Sequence, residues 1–246
     1  MNIKRFILLF SLAALLPVTV SAQLKYNWST VRIDSRFDNG TDRTAAKIIE
    51  KYSPMVAPLQ EIIGYSEAEY DKARPESGLS NFAADIIRET AEKAVGKRVD
   101  VGLTNFGGIR TSLPKGAVRV YDIFSIFPFE NHIVVFDIKG RDLLKFFQQM
   151  AVRPEALSNV YLVAHKGEIV TLRIGDKPFD VEHTYRMATI DFLMDGGDGV
   201  NFTKVARNKV ETGILIRDAI VDYIRQMNAE GKTIRLFKDS RVTVNN

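Results

Sequence analysis

Cysteine is absent, tryptophan occurs once and histidine three times in the 246 residues. Without cysteine there is no disulfide framework to staple the fold and no sulfur to carry a lipoprotein-type acyl anchor. The histidines, His132, His165 and His183, are scattered over separate predicted elements. A two-metal hydrolytic centre needs several histidines and carboxylates converging on ions about 3.5 to 4 Å apart, and three isolated imidazoles supply it poorly. Charge of one sign is also missing, since 34 Lys and Arg face 30 Asp and Glu. No dense basic stripe of the kind that neutralises a polyphosphate backbone is present, so a nucleic-acid polymer is not an expected partner. Internal repeats and low-complexity segments are absent. After residue 16 no apolar run is long enough to span a membrane.

What is present begins with a processing signal. Lys4 and Arg5 precede an apolar run from Phe6 to Leu16, then Pro17 and the small-residue ending Val20-Ser21-Ala22. This is the pattern of a secretory signal peptide over residues 1–22, its apolar run too short for a spanning helix. Cleavage after Ala22 predicts a chain starting at Gln23 with no membrane anchor and a periplasmic or secreted location. Loss of Lys4 and Arg5 lowers the formal net charge from +4 to about +2.

Residues 23–64 read as a polar extension, with a short strand at Thr30 to Ile33, followed by a linker-type amphipathic helix. From Thr41 onward Ala45, Ile48, Ile49, Tyr52, Met55, Val56, Leu59 and Ile63 recur at helical spacing; Pro54 and Pro58 kink or divide the helix and Gly64 closes it. Residues 65–246 are expected to form one domain. Its first helix places Leu79, Phe82, Ala83, Ile86, Ile87 and Val95 on one face, with Ser77 or Ser80 as cap and Gly96 as stop. A short buried strand, Val99 to Leu103, delivers the chain into the Gly-rich stretch Asn105 to Arg110. A helical Tyr121 to Ile126, Phe127-Pro128-Phe129, a strand from Ile133 to Ile138, a Lys139-Gly140 turn and a helix from Arg141 to Met150 follow. Strands Val160 to Ala164 and Ile169 to Ile174 flank Lys166-Gly167 as a hairpin does. A further strand, Thr184 to Ile190, feeds Asp191 to Gly199, and Gly213 to Met227 is the last helix. Helices and strands interleave without strict βαβ alternation, and at least one hairpin is antiparallel, so the fold class is α+β with layered mixed sheets and helices.

Three stretches carry residue types suited to ligand recognition. In Asp191-Phe192-Leu193-Met194-Asp195-Gly196-Gly197-Asp198-Gly199 the glycines let backbone approach a ligand, Phe192 offers a flat face and Asp198 a pair of acceptors. Asn105-Phe106-Gly107-Gly108-Ile109-Arg110 adds an amide with donor and acceptor and a forked, permanent cation. Phe129 adds a second aromatic face beside Pro128. Two aromatic faces sandwich a purine or pyrimidine at about 1 to 3 kcal/mol per stack, with little choice between bases.

In order and spacing these three stretches resemble the C-terminal domain of the 5′-nucleotidase family. Glu76-Ser77-Gly78-Leu79-Ser80-Asn81-Phe82 with Asp85, which looks like the family's helix start, and Ile138-Lys139-Gly140 ahead of an apolar helix support the match. The resemblance covers about residues 70 to 230 and implies a layered α/β/β/α-type mixed-sheet domain that binds the nucleoside part of a nucleotide. It places the base between Phe129 and Phe192, Asn105 against the base, Arg110 on the ribose or phosphate side and Asp198 on the ribose hydroxyls, with Gly107 and Gly197 in the same loops. The family's upstream arginine falls nearest Arg74, one residue closer to Glu76 than the pattern expects. Phe106 stands where the family has a small residue, and it either narrows the base pocket or packs inward. The family's metallophosphatase motifs, Asp-x-His, Gly-Asp and Gly-Asn-His, find no counterpart. The resemblance therefore implies no catalytic residue, metal ligand or cofactor in this sequence, with divalent metals expected only on a separate metallophosphatase chain.

Ordinary core burial competes for Phe129 and Phe192, a helix cap for Asp198, a left-handed turn residue for Asn105 and a surface ion pair for Arg110. Asp180, Glu182 and His183, just before a strand, read as a solvated turn. Two function classes remain open, with a structural or carbohydrate-binding protein that kept the fold and lost the site as a weaker third. The chain is either the substrate-recognition part of a 5′-nucleotidase whose metal centre sits on another chain, or a stand-alone periplasmic module that binds nucleosides or nucleotides without hydrolysis.

Overall fold

A computed structural model describes residues 27–30 and 43–245. The leader expected over 1–22 lies outside the described residues, as does most of the strand expected at Thr30 to Ile33. From Glu50 onward the described residues form one compact unit. Residues 27–30 carry no regular secondary structure. Helix α1 spans Arg43–Val56 and buries none of its residues. It ends before the expected stop at 63. Pro54 lies inside it, Pro58 sits in the 3-10 turn Ala57–Gln60 that follows, and the chain then extends. Two prolines without N–H donors cannot carry a helical ladder further. Ile62–Ser66 is instead strand β1, antiparallel to β3, Gly116–Arg119. Gly64 is thus no helix stop: a Cβ there would stand 2.7 Å from Ile224, so the glycine admits a helix packed on the strand. The domain boundary expected between residues 64 and 65 falls inside β1.

The second helix forms as its local chemistry dictates. Helix α2 is Gly78–Val95, with a reciprocal Ser77–Ser80 capping box and Gly96 closing it in the left-handed region at φ 63°. Strand β2 (Val101–Thr104), helix α3 (Val120–Ile126), strand β4 (His132–Lys139) and helix α4 (Gly140–Val152) follow. Next come β5 (Ala156–Ser158), the hairpin β6 (Val160–His165) with β7 (Glu168–Ile174), and β8 (Lys177–Pro178). Strand β9 (Thr184–Ile190) runs into the single turn α5 (Asp191–Met194). Strand β10 (Arg207–Leu215), helix α6 (Ile216–Ala229) and strand β11 (Val242–Asn245) complete the chain. The last helix therefore starts at Ile216 rather than Gly213. Ile214 and Leu215 belong to β10, and Gly213, at φ 70°, lies where its register against β4 shifts.

The strands build three sheets, a five-stranded one in the order β10-β4-β9-β2-β5, a four-stranded one in the order β11-β6-β7-β8, and the β1-β3 pair. Pairing is mixed: β2 with β9 and β11 with β6 are parallel, the rest antiparallel. The α+β class is thus as the sequence indicates. Helix α2 packs on β2, β5 and β9, α4 on β4, β6 and β7, and α6 on β1 and β10. All four residues of β2 are buried, as are Ile133 to Phe136 of β4 and Met187 to Ile190 of β9. A central sheet covered on both faces fixes the ends of its strands, and the site is built on those ends.

Candidate functional site

Topology brings three loops to one edge of the five-stranded sheet. Strands β2 and β9 are parallel neighbours, with Val101 opposite Met187, so the loops leaving Thr104 and Ile190 emerge on the same side. Thr189 Oγ1 donates to the Leu103 carbonyl at 3.1 Å and ties those two ends together. Strand β4 runs antiparallel to β9 with Ile133 opposite Ile190, which brings residues 129–131 to the same edge. The Ile216 N–H, donating to the Asn131 carbonyl at 3.1 Å, fixes that entry from the far side. Loops outside the carboxyl ends of parallel strands are where α/β proteins commonly place ligands.

Between these loops lies a cavity of about 300 Å³ lined by Asn105, Gly107, Gly108, Arg110, Phe129, Asn131, Phe192 and Asp198. Core burial of the two aromatics does not occur: Phe129 is 47% and Phe192 45% exposed. Among the described residues neither ring contacts another aromatic ring, and the Arg110 guanidinium carbon stands 5.9 Å from the centre of the Phe129 ring. Among the described residues the Arg110 side chain donates only to the Gly107 carbonyl, at 3.2 Å, and pairs with no carboxylate. Phe192 lies flat on the backbone of Gly197. A Cβ at Gly197 would meet three carbons of the ring at 2.3 to 2.5 Å, so a side chain there would displace it.

Asn105 is extended at φ −94°, so it is not a left-handed turn residue; Asp198, at φ 52° and ψ 23°, is. That region is sparsely occupied by residues other than glycine. Asn105 Nδ2 donates to Asp198 Oδ2 at 2.6 Å, across the floor of the cavity. Asn105 itself is 4% exposed, and its Oδ1 is buried without a hydrogen-bond partner among the described residues. Gly107 and Gly108 cover the amide: a Cβ on either would stand 3.1 Å from Nδ2 or 2.7 Å from Oδ1.

Arg74 does not line the cavity. Its Nε donates to the Pro154 carbonyl at 2.9 Å, its Nη2 to Glu155 at 2.5 Å, and its guanidinium lies 4.5 Å from the centre of the Phe106 ring. Phe106 points inward, 2% exposed and clustered with Ala84 and Ala156, and so leaves the cavity unobstructed. Buried Glu155 accepts the Phe106 N–H at 2.6 Å, and Lys72 Nζ donates to the Phe106 and Ile109 carbonyls. Arg74, Glu155 and Lys72 thus hold the loop from behind. Among residues that the sequence reading missed, Asn131 lines the cavity and is half-buried, and its side chain makes no hydrogen bond among the described residues. A polar residue two places after Phe129, just before an apolar strand, was the available signal.

His132 Nδ1 lies 3.2 Å from Asp191 Oδ2, and the Asp180–Glu182 turn is held by Asp180 Oδ1 accepting the Glu182 N–H at 2.9 Å. Among the described residues no group of three or more His, Cys, Asp or Glu is placed to hold a metal, and no helix is long and apolar enough to cross a membrane.

Fold and cavity together define an α+β domain with an open cleft where three loops leave the ends of the central strands. Residues 60–207 match the family model described as 5′-nucleotidase, C-terminal domain, and the chain belongs to that family. It is 32% identical over 151 residues to Protein UshA of Salmonella pullorum, covering 59% of this chain and 26% of the relative. To Protein UshA of Escherichia coli it is 30% identical over 177 residues, covering 68% and 31%. The crystal structure of a 5′-nucleotidase precursor from Thermus thermophilus superposes with a TM-score of 0.69 at 25% identity, over 82% of this chain and 43% of that one. The fold is also shared with the NAD nucleotidase of Haemophilus influenzae, with a TM-score of 0.60 at 19% identity over 89% and 46%. The chain therefore spans less than half the length of these relatives.

Proposed function

We propose that the cavity binds a nucleoside or nucleotide and that the chain is the substrate-recognition part of a 5′-nucleotidase system. The base lies between Phe129 and Phe192, and Asn131 offers an amide to its edge. Asp198 receives the ribose hydroxyls, and Arg110, paired with no carboxylate among the described residues, faces the ribose or phosphate. Gly107 and Gly197 serve by having no side chain. The carrying observation is that two aromatic rings, each almost half exposed, flank a cavity of about 300 Å³ with no aromatic ring between them. Half-exposed phenyl faces are costly to leave in water, and a planar base covers both. A cavity of this size is at the small end of ligand pockets, which suits a nucleoside better than a polymer.

Hydrolysis, in this proposal, falls to a dinuclear metal centre on a separate metallophosphatase chain, and the protein works in the periplasm or outside the cell after cleavage of residues 1–22. Calorimetry with AMP tests the recognition half. The native chain is expected to bind, and Phe192→Ala to bind roughly 5- to 150-fold more weakly, the loss of one stack. Equal affinity in the two proteins removes the base sandwich. Binding that no partner converts into turnover would return the stand-alone binding module.

A further inference from the structure

Asn105 is the one polar side chain at the cavity that is both deeply buried and bonded to another cavity residue. We infer that it is a positioning residue: its amide holds the Asp198 carboxylate in the orientation that receives the vicinal hydroxyls of a ribose. This rests on the nucleotide-binding function proposed above.

A carboxylate only accepts, so the 2.6 Å contact with Asp198 Oδ2 fixes which end of the Asn105 amide is nitrogen. Its Oδ1 is thereby turned under Gly108, buried, with no partner. Asn105 as a whole is 4% exposed although it lines the cavity. One N–H of the amide is thus committed to Asp198.

Asp198 needs such a support. It is exposed, and its backbone is left-handed between Gly196 at φ 110° and Gly199 at φ 78°. Among the described residues, Asn105 makes the only hydrogen bond to its side chain, and Oδ1 of Asp198 remains free to accept from a sugar. Without Asn105 the carboxylate would sample several rotamers, and a sugar would have to order it on binding.

Calorimetry of the full chain separates this from a base contact. The ligands are AMP and its 2′,3′-dideoxy analogue, which share base and phosphate. The proteins are the native chain, Asn105→Ala, Asn105→Asp, Asp198→Ala and the double alanine variant. Asn105→Ala is expected to bind AMP about ten-fold more weakly and the dideoxy analogue within about two-fold of the native chain. The double variant is expected to bind AMP no more weakly than Asp198→Ala alone. Asn105→Asp keeps the side chain's size beneath Gly108 but sets a second carboxylate against the first. It should lose AMP affinity at least as strongly, and it carries the test if the alanine variant does not fold. Equal weakening of both ligands, or additive losses in the double variant, overturns the inference while leaving the base sandwich intact. A native chain that cannot tell AMP from its dideoxy analogue removes the Asp198–ribose contact and this inference with it. A native chain that binds neither removes the proposed function as well.

Discussion

Gly197 is read at the scale of one methyl group. The ring of Phe192 lies against its backbone closely enough that a Cβ would come within 2.3 Å of a ring carbon. Gly197 itself does not need the left-handed region, unlike its neighbours Gly196 and Gly199. Alanine should therefore be tolerated by the backbone and felt through the displaced ring. Gly197→Ala is expected to weaken AMP about as much as Phe192→Ala, roughly 5-fold or more, while unfolding free energy stays within about 1 kcal/mol of native. Unchanged AMP affinity would mean that the orientation of Phe192 does not matter. Most of the cavity was legible at this scale, because Asn105, Arg110, Phe129, Phe192 and Asp198 sit in short stretches rich in glycine or proline whose residue types suit a nucleoside. Arg74 was not, because whether an arginine faces a cleft or a buried carboxylate depends on Glu155, 81 positions away. The hydrogen bond of Asn105 was equally hidden, since only the fold sets it against Asp198, 93 positions on.

At the scale of elements, legibility follows how local the deciding chemistry is. Helix α2 announces itself through an apolar face, a Ser77 cap and a Gly96 stop, all read within one segment. Strand β10 carries Arg207, Asn208, Lys209 and Glu211 in mostly exposed positions and is a strand only because β4 lies beside it. Strand β11 is likewise defined from outside. Buried Glu76 accepts the N–H groups of Asp239, Ser240 and Val242 at 2.9 to 3.0 Å, and Arg241 bridges Asp85 and Asp239. Glu76 and Asp85, prominent in the sequence beside the start of α2, thus anchor the C-terminal segment. Hydrogen bonds from Arg241 hold the Asp239 carboxyl below its ordinary range, against the opposing pull of partial burial. A group depressed in the folded state contributes stability above its unfolded pKa, about 3.9, and loses it as pH falls through the lower folded value. Asp239→Asn should therefore be less stable than the native chain at pH 7, and the gap in urea unfolding should close as pH drops below about 4. A gap of constant size across that range would mean that the ion pair adds nothing to stability.

Across the whole molecule, the proposed function separates recognition from chemistry. The described residues line a cavity of about 300 Å³ but supply no group of metal ligands, and the chain matches less than half of each longer relative named above. If a dinuclear centre on another chain performs the hydrolysis, nucleotide affinity and phosphate release must respond differently to metal. The purified chain is expected to bind AMP equally well with and without a chelator, because stacking on Phe129 and Phe192 and the Asp198 contact require no ion. With AMP and added magnesium, manganese, cobalt or zinc it should release no phosphate above buffer. Addition of a secreted protein bearing Asp-x-His and Gly-Asn-His motifs should start release, and Phe192→Ala should raise the KM of that mixture more than it lowers kcat, since a stack made equally in ground and transition state is uniform binding. Metal-dependent release that co-purifies with the chain and disappears on its immunodepletion would place the hydrolytic centre here instead. Release in the mixture that ignores Phe192→Ala would show that the two proteins do not share a substrate.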